Sequence, residues 1–171
     1  MKKEISYKEC IGNVENQLTH GGAFLVTADG ERVNAMTIGW GGINYYWNRP
    51  VFIVPVRQSR FTKEMLEKNG NFTVCVPVDN AEYARGLAYC GTKSGRDTDK
   101  IKDCNFTLSN GEKNGVPYIN GNMYVFECKT LLQCDMTDDN TADEIAEGVY
   151  NRKNYHTLYF GEILACYKVQ E

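Results

Sequence analysis

Two basic, hydroxyl-rich segments hold the residues of this sequence that are best suited to chemistry. The first, Val56-Arg57-Gln58-Ser59-Arg60-Phe61-Thr62, leaves a predicted buried strand and enters a predicted helix. At such a junction the free N–H groups of the first helical turn, two guanidinium groups and two hydroxyls can converge on one anion. The segment is therefore a candidate phosphate site.

The second segment runs from Gly91 to Lys100 and reads Gly-Thr-Lys-Ser-Gly-Arg-Asp-Thr-Asp-Lys. It combines glycines, hydroxyls and three cations before a short predicted helix, so it can bind the same phosphate from the opposite side. The alternative for both segments is a pair of solvated turns capped by Ser, Thr and Asp. The residue types by themselves leave both interpretations open.

A third element suits a flat ring system. Asn34-Ala35-Met36-Thr37 is followed by Ile38-Gly39-Trp40-Gly41-Gly42, which places small residues and an indole beside open backbone. The alternative is a strand that ends in a glycine-rich turn, with Trp40 anchoring the core. On these residues alone the alternative is favoured.

Several kinds of active site are excluded by what the sequence lacks. There are two histidines, His20 and His156, with no HExxH and no Cys/His cluster, so we predict no metal site. The G-x-S-x-G motif that would indicate a serine hydrolase is absent from the sequence. The seven cysteines are odd in number and form no CxxC pair, which indicates free thiols in a reducing compartment.

Length and charge limit the class of protein further. A chain of 171 residues buries about 70% of its extended surface, and we expect one domain over residues 1–171. With 19 Lys and Arg against 22 Asp and Glu, the charge of −3 argues against nucleic acid or an anionic membrane as partner. No apolar run approaches the roughly 20 residues of a membrane span, and none follows the basic N-terminus. We therefore expect a cytoplasmic protein.

The elements that must position these residues are mostly strands. Ala23–Thr27 and Val33–Ile38 flank the turn Ala28-Asp29-Gly30-Glu31 and predict a β-hairpin. Further strands are predicted at 51–56, 72–76, 123–132 and 155–169, and short helices at 62–69, 81–90, 98–103 and 141–150. Because β-α-β alternation is absent from the second half, the pattern favours a mainly β fold, a closed or nearly closed barrel with short helices, over a Rossmann fold.

The order of these blocks resembles the flavin reductase-like FMN-binding split-barrel family, especially its flavoredoxin branch. The blocks are Asn34 to Thr37 with Trp40-Gly41, Pro55 to Thr62 with its helix, Phe72-Thr-Val, and Ser94 to Lys100. Tyr155 to Ile163 is similar to the last barrel strand of that family. The resemblance covers about residues 23 to 165 and implies a Greek-key split barrel.

The resemblance also implies a cofactor and its site. FMN would lie near the interface of a homodimer. Its ring would be lined, mainly through backbone groups, by Asn34, Ala35, Met36 and Thr37, with Trp40 close to it. Its phosphate would be held by Arg57, Ser59, Arg60, Phe61 and Thr62, and covered by Ser94, Gly95, Arg96 and Lys100. In the family, electrons enter from NADH, NADPH or a redox protein and leave to an acceptor, and the sequence identifies neither. Since the cofactor carries the chemistry, no acid–base dyad is needed.

Other interpretations stay open at this point. His156 could meet the nicotinamide or the flavin edge as a catalytic residue, or be a strand histidine bonded to backbone. Tyr45-Tyr46-Trp47 could be dimer interface, substrate face or core. With the basic loops it could also serve a non-catalytic β-barrel module of oligonucleotide-binding type. An anion-binding enzyme without flavin would leave residues 34–40 unexplained.

Overall fold

The computed structural model describes residues 1–30 and 32–170, so Glu31 in the predicted hairpin turn lies outside the described residues. Within the described residues, eight strands form one antiparallel sheet. Its strands are β1 (Lys2–Glu4), β2 (Ala23–Ala28), β3 (Val33–Ile38), β4 (Gly42–Tyr46), β5 (Arg49–Arg57), β6 (Asn71–Pro77), β9 (Met123–Asp135) and β10 (His156–Val169). Between β6 and β9 the chain forms a separate two-stranded sheet of β7 (Leu108–Ser109) and β8 (Tyr118–Ile119).

The predicted mainly β class and all six predicted strands are confirmed. The strands lie in the order β3-β2-β6-β9-β10-β5-β4, and β1 also pairs with β10. Within the described residues no backbone pairing joins β3 to β4, so the sheet is open where the sequence predicts a closed or nearly closed barrel. The consecutive strands β3 and β4 lie at opposite edges of the sheet, and residues 39–41 connect them. Gly41 has φ +109°, and a Cβ there would lie 2.2 Å from the Ile53 carbonyl oxygen.

In the described part of the chain five α-helices connect the strands: α1 (Ile11–His20), α2 (Phe61–Lys68), α3 (Asn80–Thr92), α4 (Lys100–Asp103) and α5 (Asp143–Gly148). The four predicted helices are present at α2 to α5, with α4 and α5 shorter than expected. The sequence interpretation did not find α1, β1, β4 or the two-residue strands β7 and β8. In the part of the chain that the structure describes, no helix is long and apolar enough to cross a membrane.

The core lies on both faces of the sheet. One cluster contains Phe52, Phe72 and Phe126 between the sheet and α1, and another contains Phe24 and Leu87 under α3. All seven cysteines are free thiols, as predicted.

A buried carboxylate fixes the loop that follows β7. Glu127 on β9 is fully buried and accepts backbone hydrogen bonds from Glu112, Lys113 and Asn114 at 3.0, 2.7 and 3.0 Å. Burying a carboxylate is costly unless such donors replace its water, and here three of them do. This single side chain therefore anchors residues 112–114 to the centre of the sheet.

We predict that Glu127→Gln lowers the free energy of unfolding by about 2–4 kcal/mol. The NH2 group of the amide cannot accept a hydrogen bond, so the three backbone N–H groups cannot all keep an acceptor. Urea unfolding followed by circular dichroism measures the change. Glu112→Gln is the control, since it removes the ion pair between an exposed carboxylate and Lys2 and leaves the Glu127 carboxylate in place. Equal losses in the two variants would contradict the assignment.

Candidate functional site

The site begins where β5 ends. The antiparallel register of β5 and β10 places Arg57 opposite His156. One turn later α2 begins, and Arg60 is its N-cap residue, with its backbone N–H bonded to the Arg57 carbonyl at 2.9 Å. The Arg60 side chain makes no capping bond to the helix, and it lines the cavity described next. Thr62 in the first turn of α2 is almost fully buried.

A cavity of about 260 Å³ lies between this junction and the segment after α3, and we call it the phosphate cavity. Every residue predicted to hold or cover the phosphate lines it: Arg57, Ser59, Arg60, Phe61, Thr62, Ser94, Gly95, Arg96 and Lys100. Thr92, Lys93, Met36 and Asn154 complete the lining. Five lining residues are cations and none is acidic, although the chain as a whole carries a charge of −3.

Most of these cations have no carboxylate partner. Arg96 binds Glu64 through Nε at 3.0 Å and through Nη2. Arg57, Arg60, Lys93 and Lys100 form no ion pair with any described residue. Burial and the neighbouring Arg60 charge lower the pKa of Lys100, whose Nζ donates to the Cys90 carbonyl at 3.4 Å. Unpaired cations around one concavity are the arrangement that a bound anion would stabilise.

Gly95 lets the covering segment approach β3 closely. A Cβ on residue 95 would lie 2.2 Å from Asn34 Oδ1 and 2.8 Å from Phe61 Cδ1. The Asn34 amide in turn donates to Thr62 Oγ1 at 2.9 Å, while its Oδ1 is buried with no partner among the described residues. The segment, β3 and α2 are thus in direct contact, and no larger residue than glycine fits between them.

Asn154 supports the other side of the cavity, and the sequence interpretation missed it. Its Oδ1 accepts from the Ser59 backbone N–H at 3.1 Å, and its carbonyl accepts from Arg57 Nη1 at 3.0 Å. It has φ +51°, a left-handed conformation that asparagine tolerates. The signal for it is the polar run Asn151-Arg152-Lys153-Asn154 directly before the strand that carries His156.

A second cavity of about 220 Å³ adjoins the first, and we call it the ring cavity. Met36, Arg57 and Arg60 line both cavities and form their common boundary. Trp40 forms one wall: it is 51% exposed, and its ring lies 5.2 Å from the His156 ring. The interpretation of Trp40 as a core anchor is therefore wrong, because the glycine-rich turn holds the indole at the surface.

The residues predicted against the flavin ring have different surroundings. Met36 and Thr37 of β3 and Trp40 after it line the ring cavity, and Thr37 also donates through Oγ1 to the Leu87 carbonyl on α3 at 2.5 Å. Ala35 lies in the core under α3, and Asn34 contacts Thr62; neither lines the ring cavity. Successive side chains point to opposite faces of a strand, yet the neighbours Met36 and Thr37 both line the ring cavity, so this division does not follow the alternation along β3.

His156 lies at the ring cavity with an unforeseen partner. Its Nδ1 is 2.7 Å from the Tyr150 hydroxyl. The alternative to a catalytic role was a hydrogen bond from His156 to backbone, but the observed partner is a side chain. Burial, together with the charges of Arg57 and Arg60, lowers the pKa of His156 to about 4. The imidazole is therefore neutral near pH 7.

Among the residues described, no group of three or more His, Cys, Asp or Glu side chains could hold a metal ion.

The aromatic turn of Tyr45, Tyr46 and Trp47 lies elsewhere. The three side chains are exposed, which excludes the core among the alternatives for this turn. The turn adjoins the Arg49 end of β5, whereas the cavities lie at the Arg57 end, eight residues away or about 27 Å along an extended strand. This separation weakens the oligonucleotide-binding alternative, which needs stacking rings and cations along one groove.

Comparison with known proteins places this geometry in context. The family model described as "Flavin reductase like domain" matches residues 17–171. A flavoredoxin of Desulfovibrio vulgaris (Miyazaki F) is 27% identical, with a TM-score of 0.68 over 88% of this chain and 69% of that one. A flavoredoxin from Methanosarcina acetivorans, 24% identical, shares the fold with a TM-score of 0.68 over 86% and 68% of the two chains.

A curated relative from Archaeoglobus fulgidus, an uncharacterized protein, is 28% identical over 142 residues, which cover 82% of this chain and 68% of the relative. The match of the family model to most of the chain agrees with the similarity to flavoredoxin structures and with the sheet described above. The chain belongs to the flavin reductase-like domain family and resembles its flavoredoxin branch.

Proposed function

We propose that this protein binds FMN across the phosphate and ring cavities and acts as an FMN-dependent oxidoreductase or electron-transfer flavoprotein. It passes electrons from NADH, NADPH or a redox protein through FMN to an acceptor. The observation that carries the proposal is that a cation-lined cavity adjoins an aromatic-walled one, on the fold of a flavin reductase-like domain. The flavoredoxin similarity supports FMN as the flavin.

The phosphate cavity fits the phosphate end of FMN. Arg57 and Arg60 reach it from the β5–α2 junction, and Lys93 and Lys100 from the other side. Because these four cations lack carboxylate partners in the described chain, a phosphate dianion can bind without breaking an ion pair. Gly95 keeps the covering segment against Asn34 and Phe61, so the hydroxyl of Ser94 and the backbone around it are held at the same cavity.

The ring cavity fits a flat, largely apolar group. Met36, Pro55 and Trp40 supply apolar surface, and the cavity opens where Trp40 is half exposed. Bound FMN would supply hydride and electron transfer, so the protein's task is to position its ring and control access to it. Trp40 is placed to limit that access.

His156 acts here as a positioning residue. Being neutral, it holds no proton to donate as imidazolium near pH 7, and its hydrogen bond to Tyr150 fixes the plane of its ring beside Trp40. Burial raises the pKa of Tyr150, so this pair is uncharged. We propose that the pair orients the wall of the ring cavity.

Two further expectations belong to the proposal. The resemblance implies that the protein forms a homodimer, and the seven cysteines, odd in number and without a CxxC pair, favour the reducing cytoplasm. The exposed aromatic turn on β4, an edge strand of the sheet, offers one surface for a second copy.

The direct test is the visible absorption spectrum of the protein purified without added cofactor, then again after mixing with FMN and gel filtration. We expect a flavin spectrum and about one FMN per chain, because the site binds both ends of one molecule. A colourless protein that also fails to retain added FMN would refute the proposed function.

The double variant Arg57→Ala and Arg60→Ala should stay folded and bind FMN more weakly by about 1.5–3 kcal/mol per lost charged hydrogen bond. Titration of flavin fluorescence measures the dissociation constant. Arg49→Ala is the matched control, since Arg49 pairs with Glu162 at the other end of β5. Unchanged FMN affinity in the folded double variant would show that the phosphate binds elsewhere.

A pH effect follows from His156. Its folded-state pKa of about 4 lies below the usual 6.5, so between these values the unfolded chain binds more protons and stability falls as the pH drops. We expect the free energy of unfolding to fall by about 2 kcal/mol between pH 7 and pH 5. His156→Gln should lose correspondingly less over the same range in urea unfolding, and equal pH dependence in both proteins would contradict the depressed pKa.

A further inference from the structure

Residues 151–154, which lead into β10, have an unusual backbone conformation. Asn151, Arg152 and Asn154 have φ values of +47°, +52° and +51°, in the left-handed region that few residues other than glycine adopt. Asparagine tolerates this region, but an arginine there is disfavoured unless surrounding contacts hold it. The conformation at Arg152 therefore depends on its contacts with the rest of the chain.

The Arg152 guanidinium binds three carboxylates at once. Its Nη1 lies 2.7 Å from Asp138 Oδ1, and its Nη2 lies 2.6 Å from Asp143 Oδ1 and 2.9 Å from Glu147 Oε1. Asp138 Oδ1 also accepts from the Tyr155 hydroxyl at 2.7 Å. A single exposed ion pair contributes little, but a network in which one cation serves three anions can hold separate segments together. Here it ties the turn at Asp138 and helix α5 to the residues before β10.

We call residues 136–155, between β9 and β10, the β9–β10 lobe. It has a small core of its own, in which Ala146 and Tyr150 are buried. The lobe contains five acidic residues against two basic ones, Arg152 and Lys153. Among the described residues, Arg152 alone pairs with the three carboxylates named above. Without Arg152 these carboxylates would repel one another, and the residues after α5 would leave the left-handed conformation.

The β9–β10 lobe contacts the phosphate cavity through Asn154. The Asn154 carbonyl accepts from Arg57 Nη1 at 3.0 Å, and its Oδ1 accepts from the Ser59 backbone N–H at 3.1 Å. The Arg57 guanidinium also lies 5.1 Å from the centre of the Tyr150 ring. Since Arg57 has no carboxylate partner in the described chain, these contacts from the lobe orient its guanidinium. A displaced Asn154 would loosen it.

We propose that Arg152 is a positioning residue for the flavin phosphate: by holding Asn154 in place, it keeps Arg57 oriented at the phosphate cavity. Arg152 lines neither the phosphate cavity nor the ring cavity, so it acts through these neighbours. The inference rests on the proposed function, since FMN is the ligand whose phosphate Arg57 would bind. It adds that an ion-pair network outside the cavities sets the preference for FMN over riboflavin.

The effect should be confined to the phosphate end of the ligand. Tyr150 packs in the core of the lobe and bonds to His156, so the wall of the ring cavity keeps its contacts when the Arg152 side chain is removed. Riboflavin has the same ring as FMN but no phosphate. Comparing the two flavins therefore separates a loss of orientation at Arg57 from a general loss of structure.

The experiment measures the dissociation constants of FMN and riboflavin by titration of flavin fluorescence. We expect Arg152→Ala to weaken FMN binding about tenfold and riboflavin binding less than about twofold. Arg49→Ala is the matched control, because Arg49 forms an exposed ion pair with Glu162 at the other end of β5. It should change neither constant more than about twofold. Equal losses for FMN and riboflavin in Arg152→Ala would overturn the inference.

A double-mutant cycle with Arg57 tests the route of the effect. In an Arg57→Ala background, Arg152→Ala should weaken FMN binding less than about twofold, because the guanidinium that it orients is gone. A role in folding alone would instead give the same loss in both backgrounds. That result, or unchanged FMN affinity in Arg57→Ala alone, would refute the positioning role.

Arg152→Lys keeps the test decisive if Arg152→Ala does not fold. A lysine retains the charge but lacks the planar fork that reaches three carboxylates, so we expect FMN to bind about threefold more weakly and riboflavin as before. Unchanged FMN affinity in the folded lysine variant would count against the inference. If the unaltered protein binds neither flavin, the proposed function itself fails, whereas FMN binding without these differences refutes only the role of Arg152.

Discussion

The pairing of β5 with β10 is the constraint on which the site depends. This antiparallel ladder fixes Arg57 opposite His156, 99 positions apart in the chain. Because β5 stops at Arg57, the chain turns there into α2, and the residues of that turn meet the end of β10 and the middle of β3. The ring and phosphate cavities consequently adjoin, with Met36, Arg57 and Arg60 as their common boundary.

Electrostatics give this region its character. Five of the 19 lysines and arginines line one cavity of a chain with net negative charge, and four of them have no carboxylate partner among the described residues. Burial lowers the pKa values of Lys100 and His156, and nearby arginine charges lower them further: Arg60 for Lys100, and Arg57 with Arg60 for His156. Such a concentration of like charge destabilises the folded chain, and a bound phosphate would offset it.

The same charges shape the chemistry that the residues can perform. A histidine kept neutral by burial and by two arginines is a hydrogen-bonding and packing group rather than a proton donor near pH 7. The absence of an acid–base dyad from the sequence agrees with a protein that positions a cofactor.

Local pattern by itself determined most of the strands, the four helices α2 to α5 and every predicted phosphate-cavity residue, since strand ends, helix starts and clustered cations are encoded within a few neighbouring positions. It did not reveal Tyr150 or Asn154 at the site, or the division of residues 34–37 between cavity and core. Nor did it show that Trp40 is exposed or that the sheet stays open between β3 and β4. These features were decided by the tertiary structure, because they depend on strand register and on contacts between segments far apart in the chain, which no local pattern records.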